Sequence, residues 1–293
     1  MAKVQNSLVK NNQPQKASLS AYLQRDAVKQ KINEVVGGKD GQRFISAIVS
    51  ATNNNTALQE CNQGSIVSAA LLGEALKLSP SPQLGHYYLV PFNDKEKGKV
   101  AQFQLGYKGY IQLAIRSGQY KKLNVIAVKE GELVRFNPLD EEIEINLNPD
   151  WDAREELETI GYYAMFELVN GFRKAIYWSK RQMHNHAMKY SQGYKRDVEK
   201  GTSWTFWSKD FDSMAYKTML RQLISKWGIM SIDMQTAFEG DMAVLHEDGS
   251  KDYVETDEPA IVIDAVAVDV VDAQEEKTEH SNNDVQAALF GGR

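Results

Sequence analysis

Three polar side chains fall on one face of a short segment with helical periodicity. Lys108, Gln112 and Arg116 follow one another at intervals of four residues, whereas Tyr110 and Ala114 fall on the opposite face. Two cations about two helical turns apart can each meet a phosphate of an extended strand, and the amide between them can bond a base edge or a sugar. This face is therefore a candidate nucleic-acid contact, although an ordinary solvated helix face has the same pattern.

A second segment, residues 203–227, combines aromatic side chains with cations. Helical spacing places Trp204 and Trp207 on one side and puts Lys217 and Arg221, four residues apart, on another. Single-strand-binding proteins commonly combine a basic groove with aromatic rings on which bases stack. The basic pair is the stronger candidate, because an aromatic stripe at helical spacing more often belongs to a core.

A third segment begins with Lys180 and Arg181 and stays basic, with interleaved tyrosines, to residue 196. Its first residues, SKRQ, fit a capping box in which Ser179 and Gln182 satisfy each other's backbone N–H groups and start a helix. Such a helix is suited to closing over a bound strand. A solvated basic surface explains the composition equally well.

Metal-dependent strand cleavage is the alternative that the acidic residues raise. Residues 140–144 hold four carboxylates, and His184 and His186 are two residues apart. Side chains two apart on a helix point about 200° away from each other, which disfavours a shared metal. The chain also lacks the G-x-x-x-x-G-K-[ST] loop that cradles nucleotide phosphates. We therefore predict no catalytic residues, no metal and no cofactor, and a protein that is not an enzyme.

The charge of the 293-residue chain is unevenly distributed. The formal net charge is −5, but residues 241–293 hold 14 acidic against 3 basic side chains, a net of −11. Residues 1–240 consequently carry +6. A basic body suits phosphate binding, because Lys and Arg contacts release condensed counterions and supply most of the sequence-independent affinity.

Cysteine content and hydropathy limit the cellular setting. Cys61 is the one cysteine, which excludes an intrachain disulfide and a thiolate zinc cluster. The polar start MAKVQNSLVKNNQPQ lacks the apolar core of a signal peptide, and no stretch approaches the roughly 20 apolar residues that span a bilayer. We expect a cytoplasmic protein without a membrane contact.

The elements that position the candidate residues alternate in type along the chain. Three helices are predicted in residues 17–78, followed by a hairpin with the basic turn NDKEKG. A helix ended by Gly118 comes next, then strands that include a hairpin turning at Asn170 and Gly171, and a helix from about 203 to 226. This order predicts an α+β fold in which helices pack on an antiparallel β-sheet core.

Composition divides the chain into three parts. Residues 1–16 are predicted to be a flexible arm and residues 17–239 to form the DNA-binding domain. Residues 240–293 are acidic and poor in aromatic residues, so they are predicted to be largely disordered. The apolar Leu289 and Phe290 near the end are candidates for docking on a partner, with unselected tail residues as the even alternative.

From about residue 19 to residue 230 the chain resembles the RecT family of phage and prophage single-strand annealing proteins. Four ordered blocks carry the resemblance: LSPSPQLGHYYLVPF, FQLGYKGYIQLAIRSGQYKKLNVIAVKEGE, YWSKRQMHNHAMKYS and WTFWSKDFDSMAYKTMLRQLISKWG. Several blocks in order are far more specific than one motif.

The resemblance implies ATP-independent binding and annealing of single-stranded DNA by a ring or helical filament that holds DNA in a basic groove. It also implies a phage exonuclease as a partner, with the host single-strand-binding protein as a further one. Position by position, it makes Tyr107, Lys108, Gln112, Lys217 and Arg221 the best DNA-contact candidates. A passive binder that protects strands without pairing them remains the alternative.

Overall fold

The computed structural model describes residues 18–37, 40–53, 55–94, 97–246, 248 and 250–253. Helices dominate these residues. They are α1 (Leu19–Leu23), α2 (Asp26–Val36), α3 (Gly41–Asn53), α4 (Thr56–Gln59), α5 (Gln63–Ala75), α6 (Tyr107–Ser117), α7 (Trp151–Glu156), α8 (Lys180–Tyr190), α9 (Gln192–Lys200), α10 (Phe206–Lys209), α11 (Phe211–Trp227) and α12 (Ile232–Gly240).

The strands form three antiparallel sheets, which confirms the α+β class. The strands are β1 (Tyr87–Asp94), β2 (Gly98–Leu105), β3 (Tyr120–Lys129), β4 (Leu133–Asn137), β5 (Glu142–Ile145), β6 (Thr159–Leu168), β7 (Arg173–Ser179), β8 (Ala243–Leu245) and β9 (Lys251–Tyr253). One sheet has the order β1-β2-β8-β9, a second has β3-β6-β7, and β4 and β5 pair only with each other. The predicted hairpins β1–β2 and β6–β7 are both present.

Helix α11 connects two apolar cores. Leu220 and Ile224 pack into a core built by α1 to α6, α12, β1, β2 and β8. Met219 and Leu223 pack into a second core between the β3-β6-β7 sheet and helices α8 to α10. These two pairs lie about 100° apart on the helix, so α11 is covered on two sides. None of the helices within the described ranges is long and apolar enough to cross a membrane.

Two predicted helices are divided in the structure. The first predicted helix breaks at Arg25, whose extended backbone precedes α2. A short additional helix, α4, also lies before residue 78. The long helix expected from about 203 breaks at Asp210, whose carboxylate caps α11 by accepting from the Ser213 N–H. Trp204 precedes α10 and is therefore not part of a shared helical stripe.

The sheet extends beyond the domain boundary expected at residue 240. Strand β8 pairs with β2 through Gln102 and Val244, and β9 pairs with β8. The expected flexible arm at 1–16 lies outside the described residues, and so do residues 254–293 with the candidate docking tip.

Candidate nucleic-acid interface

The start of α6 is in direct backbone contact with the loop that precedes β1. The Gly106 N–H donates to the His86 carbonyl at 2.9 Å. A Cβ at Gly106 would collide with the Gly85 carbonyl oxygen, and a Cβ at Gly109 would collide with that of His86. The G-x-x-G spacing in GYKG therefore allows α6 to pack closely against the loop of the block LSPSPQLGHYYLVPF.

Aromatic rings and one cation gather beside this contact. Tyr88 lies 5.7 Å from the Phe206 ring, and the Lys108 Nζ lies 5.9 Å from the centre of the Tyr107 ring. A Cβ at Gly85 would lie 3.0 Å from the Tyr88 hydroxyl and 3.4 Å from the Lys108 Cδ, so both side chains border the same loop. We call Tyr88, Tyr107, Lys108 and Phe206 the α6 platform.

The α6 platform is partly open to solvent. Phe206 is 45% exposed and Lys108 is exposed, whereas Tyr88 and Tyr107 are half-buried. Burial raises the pKa of the Tyr88 phenol, and neighbouring Tyr107 and Asp210 raise it further. The phenol therefore stays neutral at physiological pH, and it adds no negative charge to a surface that would meet phosphate.

A loop held by Asp197 presents further aromatic surface. The buried Asp197 carboxylate accepts hydrogen bonds from the Trp204 N–H at 3.0 Å, the Thr205 N–H at 2.8 Å and the hydroxyls of Thr202 and Ser208. These hydrogen bonds, that of Thr202 first, hold the pKa of Asp197 well below its usual range. Trp204 projects from this loop and is 79% exposed, which suits it to stacking.

Trp207 belongs to an apolar core and not to a stacking surface. It is buried against the rings of Tyr194 and Phe211, at 5.9 Å and 5.2 Å between centroids. A base cannot stack on a ring that is enclosed in this way. Two neighbouring aromatic residues that looked equivalent in sequence, Trp204 and Trp207, therefore have opposite environments.

Of the three α6 residues predicted to contact nucleic acid, only some are free to face solvent. Lys108 is exposed and Gln112 is half-buried. Arg116 instead donates to the carbonyl oxygens of Leu76 at 2.6 Å and Lys77 at 3.2 Å, where α5 ends. Its guanidinium thus satisfies orphan carbonyl groups at a helix C-terminus.

Lys217 is buried and Arg221 is only partly exposed, unlike the open surface groove that the sequence predicted for them. Lys217 Nζ is 3.0 Å and Arg221 Nη1 is 2.8 Å from the Asp241 carboxylate, with side-chain exposures of 8%, 13% and 0%. Tyr110 Oη and the Leu105 N–H also donate to this carboxylate, at 2.9 Å and 2.8 Å. Burial alone would raise the pKa of Asp241, but the two cations hold it below its ordinary value. Both cations therefore already face a carboxylate of the same chain.

The predicted basic helix forms as α8, and the capping box of Ser179 and Gln182 is present. Lys180 is exposed and pairs with Glu158 at 3.0 Å. Arg181 is also exposed, and within the described ranges it takes part in no ion pair. These two side chains are accessible to a phosphate.

The two histidines that suggested a metal-dependent nuclease contact neighbouring aromatic side chains. His184 hydrogen-bonds Tyr194 Oη at 3.1 Å, and the His186 ring lies 5.3 Å from Trp178 and 4.6 Å from Tyr190. Burial, with Lys189 nearby, lowers the pKa of His186 to about 4. In the part of the chain that the structure describes, no three His, Cys, Asp or Glu side chains are grouped to hold a metal ion.

Sequence reasoning missed Tyr88, Phe206, Asp197 and Asp241. Phe206 was available in the WTFW motif, but an assumed continuous helix drew attention to the tryptophans. Asp241 was assigned to the acidic tail, so its pairing with α11 had no local signal. Only the tertiary fold brings these residues to their partners.

The chain is similar to a known protein family over most of its length. The model of the RecT family matches residues 42–260, a range that includes the α6 platform and Asp241. The protein is 31% identical to Protein RecT of Escherichia coli over 204 residues, which are 68% of this chain and 71% of the relative. It is 39% identical to the uncharacterized protein YqaK of Bacillus subtilis over 279 residues, 92% of this chain and 87% of that one.

Proposed function

The chain belongs to the RecT family, and on that premise we propose that it binds single-stranded DNA and anneals complementary strands without ATP. Family membership supports a general role in recombination through single-strand annealing. The α6 platform carries the finer proposal, because it combines exposed aromatic surface with an exposed cation. Stacking on aromatic rings tolerates any sequence, since every base has a π-face.

In the proposed mechanism, bases stack on Phe206 and Trp204 while Lys108 neutralises a phosphate. Tyr107 and Gln112 border this path, and Lys180 and Arg181 at the start of α8 are proposed as further phosphate contacts. Neutralised phosphates repel a second strand less, and an extended strand loses less entropy when it pairs. Sequence recognition is left to base pairing, so the protein needs no bond-making group and no cofactor.

The buried cations of α11 act indirectly in this proposal. Lys217, Arg221 and Tyr110 all contact Asp241, so they fix α6 against α11 and the chain that follows α12. Arg116 similarly fixes α6 to the end of α5. We propose that these four side chains position the α6 platform and do not contact DNA.

We propose further that protomers assemble into rings or helical filaments in the bacterial cytoplasm and retain the annealed duplex intermediate. A phage exonuclease would supply the single strands. The host single-strand-binding protein is a further candidate partner.

Two substitutions test the α6 platform. Phe206→Ala should weaken binding of an oligonucleotide about 5- to 150-fold, as expected for a stacked base worth ~1–3 kcal/mol. Lys108→Ala should weaken binding for all sequences and reduce the slope of log affinity against log salt by about 0.7, the value for one single-strand phosphate contact. Fluorescence anisotropy across a salt series measures both effects.

Closely matched controls exist in the chain. Phe172 is also 45% exposed and lies 5.9 Å from the Phe166 ring, and Lys226 Nζ lies 5.8 Å from the Trp227 ring. Phe172→Ala and Lys226→Ala should leave the affinity unchanged. Equal losses in the platform variants and in these controls would remove the α6 platform from the DNA site.

A further inference from the structure

Residues 130–158 form an arm on a rigid base. The arm contains the β4–β5 hairpin and α7, and the hairpin is a two-stranded sheet of its own. At the base, the buried Arg154 donates to Glu132 at 2.6 Å and to the Ala127 carbonyl at 2.6 Å. Glu132 also accepts from the Asn148 N–H at 3.1 Å. Within the protomer the hairpin touches β7, through the Phe136 ring 5.1 Å from that of Tyr177 and an ion pair between Glu141 and Lys174.

Large apolar side chains are exposed along the arm. Leu139 at its tip is 90% exposed. Five exposed large apolar side chains occur within 18 residues, namely Val134, Phe136, Leu139, Leu147 and Trp151. Single exposed apolar residues are ordinary, but such a concentration on one small arm is typical of a contact surface.

The arm is also strongly acidic. Residues 130–158 hold eleven acidic and two basic side chains, a net of −9, so the remainder of residues 1–240 carries +15. Glu155 and Glu156 on α7 are exposed, and no ion pair involves either of them among the residues described. Glu141 and Glu158 are paired within the protomer, with Lys174 and Lys180, and the net charge that remains on the arm is still negative and favours a basic protein surface. A second copy of the chain always offers such a surface.

Helix α9 carries three exposed cations and one exposed carboxylate, Glu199. Lys195, Arg196 and Lys200 are exposed, and the described residues place no carboxylate in an ion pair with any of them. Val198 is exposed among them and supplies apolar contact area. We propose that the acidic arm of one protomer docks on α9 of its neighbour and joins protomers head to tail.

This contact deepens the assembly that is part of the proposed function, and it rests on that proposal. A head-to-tail contact uses two different surfaces, so repetition generates a ring when it closes and a filament when it does not. Gly193 of α9 packs on Thr205, where a Cβ would lie 2.8 Å from the Thr205 Cγ2. A neighbour on α9 therefore docks close to the loop that carries Trp204 and to Phe206 at the start of α10.

Charge exchange tests the contact on full-length protein without DNA. The arm variant Glu155→Lys/Glu156→Lys and the helix variant Lys195→Glu/Arg196→Glu should each lower the self-association constant at least tenfold, measured by light scattering after size exclusion. An equimolar mixture of the two should regain wild-type association, because every contact between unlike protomers again pairs opposite charges. Circular dichroism and thermal unfolding establish that each variant is folded.

The exposed Asp26 and Glu34 of α2 provide the control. Asp26→Lys/Glu34→Lys should associate as the wild type does. Wild-type association of the arm variant would overturn the proposal, and so would a mixture that remains dissociated. Absence of DNA binding by the wild type would instead contradict the proposed function, and it would leave this association result unaffected.

Discussion

Asp241 joins side chains from α6 and α11 and determines where two cations of α11 point. Its carboxylate accepts from Lys217, Arg221 and Tyr110, and it is fully buried. A buried ion pair stabilises little compared with apolar packing, but removing one partner leaves a buried charge uncompensated. The cluster is therefore a constraint on geometry that is costly to break.

Asp241→Asn should lower the free energy of unfolding by about 3–5 kcal/mol, because Lys217 and Arg221 would then be buried without their counterion. Urea denaturation measures the change. The exposed Asp233, which lies 3.8 Å from Arg116, provides a surface control, and Asp233→Asn should change stability little. A wild-type unfolding curve for Asp241→Asn would contradict the assignment.

The stability difference between wild type and Asp241→Asn should depend on pH, which gives a second test of the Asp241 ion pairs. The pKa of Asp241 is lowered in the folded state, so its contribution is complete above the unfolded value of about 4 and is lost as the pH falls through the folded value. The stability gap between wild type and Asp241→Asn should therefore narrow below about pH 4. A gap that widens in acid would contradict the sign of the shift.

At the scale of elements, the loop between α9 and α10 is ordered by one carboxylate. Asp197→Ala removes the acceptor of the Trp204 and Thr205 N–H groups, and both amides should then exchange with solvent faster. Hydrogen exchange followed by mass spectrometry of residues 201–208 measures this. The affinity for single-stranded DNA should fall as well, because Phe206 and Trp204 lose their fixed positions.

A control for this loop lies at Asp248, which accepts from the Ser250 N–H and hydroxyl. Asp248→Ala should leave exchange at residues 201–208 unchanged. Unaltered exchange in Asp197→Ala would show that the loop is ordered by other contacts.

Local signals explain how much of the fold was predictable. Gly118, with φ of 68°, ends α6, and Gly171, with φ of 89°, lies in the turn of the β6–β7 hairpin. Glycine favours positive φ, so the sequence predicted both boundaries. The burial of Lys217 and Arg221 was not predicted, because their partner comes from a segment that composition assigned to a tail. Trp207 and Trp204 were likewise indistinguishable until α10 and its loop were defined.

At the scale of the whole molecule, charge is divided between surfaces with different partners. The acidic arm carries −9, whereas the remainder of residues 1–240 carries +15. We infer that basic surfaces serve both DNA and the neighbouring protomer. Raised salt should therefore weaken DNA binding and assembly together, since both depend on contacts that ions screen.

The central claim is ATP-independent annealing, and the pairing rate of two complementary labelled oligonucleotides tests it most directly. The rate is compared with and without the purified protein, with no nucleotide and with EDTA present. We expect strong acceleration, with the duplex product retained by the protein. Slower pairing combined with tight single-strand binding would contradict the claim and indicate a passive binding protein.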